Sequence, residues 1–202
     1  MPAGSARGAW LLPDESFYDA GCVDLAGLLI GCLLERVSGE GTRRGMIVET
    51  EAYSEDEASS HSFRGRTQRN WPMFDRGGLA YVYIIYGLHH CFNVSSGLTG
   101  RGEAVLVRAL EPLEGLGLMR EARGTASVRD LCRGPGRLCQ AMGITLAQNG
   151  HDLRSGDLRV LVPARTGNLR IATSRRTGIS RARELEWRFY LNGSPYVSSS
   201  RS

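Results

Sequence analysis

The strand-like and helix-like runs of this 202-residue chain do not alternate regularly, and that irregularity narrows the choice of fold more than any other feature. Strand signals occupy Met46–Tyr53, Leu79–Tyr86, His90–Val94 and Ala104–Leu110, with further candidates at 158–162, 168–173 and 186–191. Helix signals are fewer. Asp24 can cap a helix over 24–37 that carries Leu25, Leu28, Leu29, Cys32 and Leu33 on one stripe. Pro112 suits the first turn of a helix near 112–123, and a short helix follows Gly134-Pro135 through Met142. Ser38–Arg44 and Gly97–Gly102 read as turns, and Gly87–His89 as the tip of a hairpin. This order predicts an α+β fold: a single domain over 1–202 with a curved, mostly antiparallel sheet, flanking helices and a protruding β-hairpin. Residues 1–13 are expected to be a loosely attached arm.

Composition excludes several classes. The longest apolar stretch, Leu25–Leu34, is broken by two glycines. It is about half of the roughly 20 residues a spanning helix requires, so no membrane role is expected. The N-terminus lacks an export signal's basic start and apolar core, which points to the cytoplasm, at the nucleoid if the cell is bacterial. The five cysteines are odd in number and contain no C-x-x-C pair, so they read as buried thiols in a reducing compartment. The formal charge is +4, and every basic side chain is arginine, with no lysine in the sequence. Arginine binds phosphates and base edges bidentately. A GC-rich genome would give the same bias. Either way, no lysine amine is available to form a Schiff base with a sugar.

Several residues could carry chemistry. Alternation places Glu49, Glu51 and Tyr53 on one face of their strand. A partly buried carboxylate there would have a raised pKa and could deprotonate a water, although a solvated strand face would show the same pattern. Tyr81, Tyr83 and Tyr86 crowd the approach to the hairpin tip. A tip aromatic can wedge into a base stack and an inner one can stack on an extruded base; cross-strand packing is the plain alternative. The long polar loop 54–78 contains His61 with Arg64, Arg66 and Arg69 nearby, a set suited to phosphates or a polar base edge. His61 with Glu51, Glu55 and Asp56 could instead ligate a metal, but strict ligand spacing is lacking, and residues 55–57 also fit a solvated acidic loop. Arg108 interrupts an apolar strand and needs an anionic partner. Asn93 could read a purine edge or make a structural hydrogen bond.

Taken in order, the strings GMIVETEAY, ASSHS, RTQRN, MF, YVYIIYG, FNVSSG, AVLVRALEPLEG, GPGRLCQA and RFYLNGSPYVS resemble the alkyladenine (methylpurine) DNA glycosylase family from about Leu25 to Ser198. The resemblance implies a base-excision enzyme that needs no cofactor or metal. It would act as a monomer on double-stranded DNA containing damaged purines. Glu51 matches the base that activates the attacking water, and Arg108 the arginine near the water and target phosphate. The Thr177 carbonyl matches a water-holding group, at a position where the family usually has an aliphatic residue. Tyr53, His61 and Tyr83 match the walls of the base slot, and Tyr86 matches the intercalating residue. Asn93 matches the asparagine that screens the 2-amino group of guanine. Two loops, between Tyr53 and His61 and before RNWPMF, are each about one residue shorter than the family pattern. Leu88 replaces a frequent methionine, and His89 and His90 are atypical. Two rivals remain: a non-catalytic nucleic-acid-binding protein using the same hairpin, and a metal-dependent hydrolase using His61.

Overall fold

The computed structural model describes residues 9–165 and 167–198. In chain order its elements are β1 (Trp10–Leu11), α1 (Cys22–Leu28), β2 (Leu33–Ser38), β3 (Gly41–Ser54), β4 (Ala80–Ile85), β5 (His89–Ser95), β6 (Glu103–Glu114), α2 (Leu116–Arg123), α3 (Pro135–Met142), β7 (Leu158–Pro163), β8 (Ile171–Ser174) and β9 (Arg188–Leu191). Every strand pair among the described residues is antiparallel, as the sequence predicts. The sheet runs β1-β7-β2-β3-β6-β5-β4, and β9 joins β3 to β8.

The 14-residue strand β3 is the axis of the fold. Its first half, Gly41–Met46, pairs with β2, while Glu49–Glu51 pair with β9 on that same edge. Strand β6 follows the other edge along its length. The ladder slips twice near its centre: Ile47 faces Leu110, Glu49 faces Ala109 and Thr50 faces Val107. Val48 is therefore an extra residue on β3 and Arg108 an extra residue on β6. Bulges of this kind bend a strand and re-aim the side chains beside them. The core lies between the sheet and the helices, with Leu25, Leu29, Ile47, Val82, Phe92, Val107, Leu110, Leu138 and Met142 inaccessible or nearly so. All five cysteines are free and buried. Burial pushes the thiols of Cys22, Cys32 and Cys132 up to about 12.

Three local expectations are corrected. The predicted helix 24–37 is α1 followed by β2. Asp24 does not cap it: the helix starts after Gly21 with no side-chain cap, and Glu103 Oε2 accepts the Cys22 N–H at 2.9 Å. Gly31, at φ +89, ends the helical path, and Leu33 onward gains partners on both edges, from β3 and β7. Pairing with two strands outweighs the helical stripe. For the same reason the turn expected at 38–44 is confined to the step between Ser38 and Gly41, which face each other across the β2–β3 hairpin. Pro112 lies in β6 opposite Gly45, beside a register shift where a missing N–H is tolerated, and α2 begins only at Leu116. Within the predicted N-terminal arm, Trp10 and Leu11 pair with β7, and residues 1–8 lie outside the described residues. No helix of the described residues is long and apolar enough to cross a membrane.

Candidate active site

A cleft of about 1130 Å³ opens between the β4–β5 hairpin, the 54–78 loop and the segment after β8. Its walls bring together Tyr53, His61, Tyr83, Tyr86, Asn93, Arg108 and Thr177, residues spread over 125 positions of sequence. Strand alternation supplies Tyr53 from β3 and Tyr83 from β4, and the bulge in β6 supplies Arg108.

Glu51 is fully buried and is not itself part of the cleft surface; three residues that line the cleft cover its carboxylate. Tyr53 Oη donates to Glu51 Oε2 at 2.9 Å and Arg108 Nη1 donates to the same oxygen at 3.1 Å. The Thr177 backbone N–H donates to Oε1 at 2.7 Å and its hydroxyl to Oε1 at 3.3 Å. The contact with Thr177 is thus made by donors, its N–H and hydroxyl. Burial and the neighbouring Glu51 charge push the Tyr53 phenol well above its ordinary value, so it stays a donor.

Glu49, also fully buried, belongs to a different environment. Its Oε1 accepts Arg108 Nε at 2.9 Å, Arg188 Nε at 2.7 Å and Ser198 Oγ at 2.8 Å, and its Oε2 accepts the Ser198 N–H at 2.6 Å. Burial would raise its pKa, but the Arg108 and Arg188 guanidiniums and these hydrogen bonds hold the carboxyl below the usual range. The raised value expected for a carboxylate on this strand is therefore wrong for Glu49. Glu49 is thus held by two guanidiniums, whereas Glu51 faces one. The solvated strand face offered as the alternative is also ruled out, since neither carboxylate is exposed.

The aromatic side of the cleft is built on β4 and the loop. The His61 and Tyr83 rings meet edge to face, centroids 4.5 Å apart at 71°. His61 Nδ1 hydrogen-bonds Tyr81 Oη at 2.9 Å. Partial burial and the nearby Arg69 charge lower the His61 pKa, which favours the neutral imidazole. Asn93 is buried; its Nδ2 donates to the Tyr81 carbonyl at 3.0 Å, which leaves its side-chain oxygen for the cleft. At the hairpin tip the Leu88 N–H donates to the Ile85 carbonyl at 3.2 Å, across a turn in which Tyr86 has φ +54 and Gly87 φ +68. Tyr86 is 88% exposed.

The metal alternative lacks geometry. No group of three or more His, Cys, Asp or Glu side chains converges among the described residues. Glu55 and Asp56 are turned toward Arg101 instead.

The Methylpurine-DNA glycosylase (MPG) family pattern matches residues 16–195. The chain belongs to the methylpurine-DNA glycosylase family. It is accordingly a DNA glycosylase, a hydrolase of N-glycosyl bonds in base excision repair. Among similar proteins, one from Methanoculleus marisnigri is 51% identical over 186 residues, covering 91% of this chain and 96% of that protein. One from Carboxydothermus hydrogenoformans is 42% identical over 189 residues, covering 93% and 98%. One from Chlorobium phaeovibrioides is 44% identical over 187 residues, covering 92% and 95%. All three are provisionally named 3-methyladenine DNA glycosylases.

In this glycosylase, several residues that support the site are not evident from sequence. Arg176, whose side chain is inaccessible, lies over the Tyr53 ring at 4.7 Å and the Trp187 ring at 5.3 Å. It donates to the Ala52 carbonyl at 2.8 Å and to Glu57 Oε1 at 2.7 Å. Glu57 accepts the Ser59 N–H and hydroxyl on its other oxygen. The acidic stretch 55–57 is thus not uniformly solvated, because Glu57 is buried against Arg176. Asn70 orders the long loop by donating to the carbonyls of His61 at 2.9 Å and Gly65 at 3.1 Å, and accepting the Thr67 N–H at 2.6 Å. A charged or amide side chain within a short polar run is the only trace such partners leave in sequence, and solvated loops share it.

Proposed function

We propose that this glycosylase flips an alkylated or deaminated purine out of duplex DNA and hydrolyses its N-glycosidic bond with a water activated by Glu51. The reading rests on one observation: a buried carboxylate lies directly beneath an aromatic-walled cleft, separated from it only by Tyr53, Arg108 and Thr177.

Breaking the bond builds positive charge on the sugar and negative charge on the departing base. Glu51 answers the first, as a fixed carboxylate in a site of low dielectric. The Thr177 hydroxyl, at 3.3 Å the longest of the four donors, is the contact a water can displace to reach Oε1. The Thr177 carbonyl and Arg108 then orient that water, and Glu51 takes its proton as the oxygen attacks the sugar carbon. Tyr53, His61 and Tyr83 clasp the base, and aromatic faces favour a methylated purine that carries positive charge. His61 must swing off Tyr83 to admit it, since a 4.5 Å centroid separation leaves no room for a stacked purine. Asn93 excludes the 2-amino group of normal guanine. Tyr86 fills the gap the base leaves, and damaged or mispaired bases cost less to extrude. The cleft arginines hold phosphates, so binding weakens steeply with salt.

The chain acts as a monomer in this reading, because the cleft is assembled from its own residues, and it works in the cytoplasm where DNA is accessible. The product is an abasic site in an intact strand, because no lysine amine is present to open the sugar through a Schiff base. The deciding experiment compares the wild type with Glu51→Gln on duplexes that each carry one lesion. The variant is expected to bind the lesion duplex as tightly and to release no base. A variant that excises normally removes Glu51 from the mechanism.

A further inference from the structure

Beneath the cleft, three carboxylates and three guanidiniums form a closed set. Glu49, Glu51 and Glu57 have side chains at most 5% exposed, and Arg108, Arg176 and Arg188 at most 12%. Formal charge cancels within it. Arg176 is committed to Glu57 and Arg188 to Glu49, whereas Arg108 is divided, with Nε on Glu49 and Nη1 on Glu51. Every element that packs around Glu51 contributes to its surroundings. These are Glu49 and Tyr53 from β3, Arg108 from β6, Arg188 opposite it on β9, Tyr83 from β4, Glu57 and His61 from the loop after β3, and Arg176 and Thr177 from the segment after β8.

We propose that Glu49 is a positioning residue of the hydrolytic step: by gripping Arg108 and Arg188 together it fixes the guanidinium that faces Glu51 and sets the positive charge Glu51 experiences. Glu49 does not itself line the cleft, so it acts through Arg108, the one of its partners that also holds Glu51. Its anchoring is unusually complete, since Ser198 donates twice to it and Arg188 Nη2 in turn donates to the Ser198 carbonyl at 3.2 Å. Removing the Glu49 charge leaves Glu51 facing one unbalanced positive charge. Removing the Arg188 charge does the reverse.

The inference rests on Glu51 being the general base, and its test separates the two ideas. Single-turnover excision of an N7-methylated purine, which departs without needing a proton, is followed against pH in full-length enzyme. Glu49→Gln is expected to move the acidic limb down by roughly one pH unit, for carboxylates about 7 Å apart along a strand. Arg188→Gln is expected to move it up by a similar amount, and the double variant to bring it back to within a few tenths of a unit. A purely structural role predicts lower thermal stability with an unmoved limb, and losses that add in the double variant. That pattern, or limbs moving in the same direction, overturns the proposal. If one single variant fails to fold, the shift in the other still decides. An active Glu51→Gln enzyme would instead sink the assignment of the base.

Discussion

Replacing Tyr86 with asparagine should make the enzyme more stable and less active at once. Tyr86 and Gly87 occupy the two central positions of the turn between Ile85 and Leu88 with φ of +54 and +68, both in the left-handed region. A side chain with a Cβ at such a position costs about 1–2 kcal/mol. Asparagine is among the residues that tolerate it. The tyrosine gains little burial in return, because it is 88% exposed. Relief of about 1 kcal/mol corresponds to a rise in Tm of roughly 2–4 °C for a domain of this size. The ring's use comes on DNA, where stacking of an aromatic side chain on a base contributes about 1–3 kcal/mol. Its loss should lower lesion-specific binding and single-turnover excision by roughly 5- to 150-fold. Calorimetry of the free protein and excision from a duplex with one hypoxanthine or methylpurine measure the two halves. A variant with a lower Tm would show that the turn is not strained by Tyr86. An unchanged excision rate would show that the ring does not enter the stack.

Three other outcomes follow from the same network. Arg176→Leu leaves Glu57 buried without its cation and should cost about 3–5 kcal/mol of stability in urea unfolding; a change below about 1 kcal/mol would mean that water reaches Glu57. The Glu49 carboxyl is depressed in the folded state relative to its ordinary 4.5, so its stabilisation is complete above that value and is lost as pH falls through the folded-state value. Stability should therefore drop more steeply below about pH 4.5 in the wild type than in Glu49→Gln, as read from unfolding at stepped pH; parallel curves would contradict this. Excision should be unaffected by excess EDTA, and a loss restored by added divalent ion would revive the hydrolase reading built on His61.

Local pattern was enough to locate most strands and the residues of the cleft. The alternation of Glu49, Glu51 and Tyr53 is visible in seven letters, and the aromatic crowding at Tyr81–Tyr86 marks a hairpin on inspection. Misreadings arose where a distant partner outweighed a local signal. Leu33 and Leu34 continue a helical stripe, but strands β3 and β7, separated from each other by more than 100 residues, take them into the sheet. Pro112 has the preference of a helix start, but β6 runs past it beside a register shift. Glu49 and Glu51 look equivalent in sequence. Their difference is decided by Arg188, Ser198 and Thr177, all more than 120 positions away, which give Glu49 a second guanidinium and cover Glu51 with a cleft-lining residue. The resemblance of the strings supplied the family, but the partners of Arg176 and Asn70 come only from tertiary structure.

The two surplus residues at the middle of the sheet also restrict how such a chain can change length. Val48 and Arg108 sit on opposite strands, so each excess cancels the other, and the ladder from Thr50 to Ser54 stays in step with Val107 to Glu103. Deleting either one alone would shift everything on one side by a single place and rotate alternate side chains to the wrong surface. Deleting both would restore an even ladder from Gly45 to Ser54, but the arginine that joins the two carboxylates would be gone. These two positions can therefore change in number only as a pair, and only with loss of that arginine.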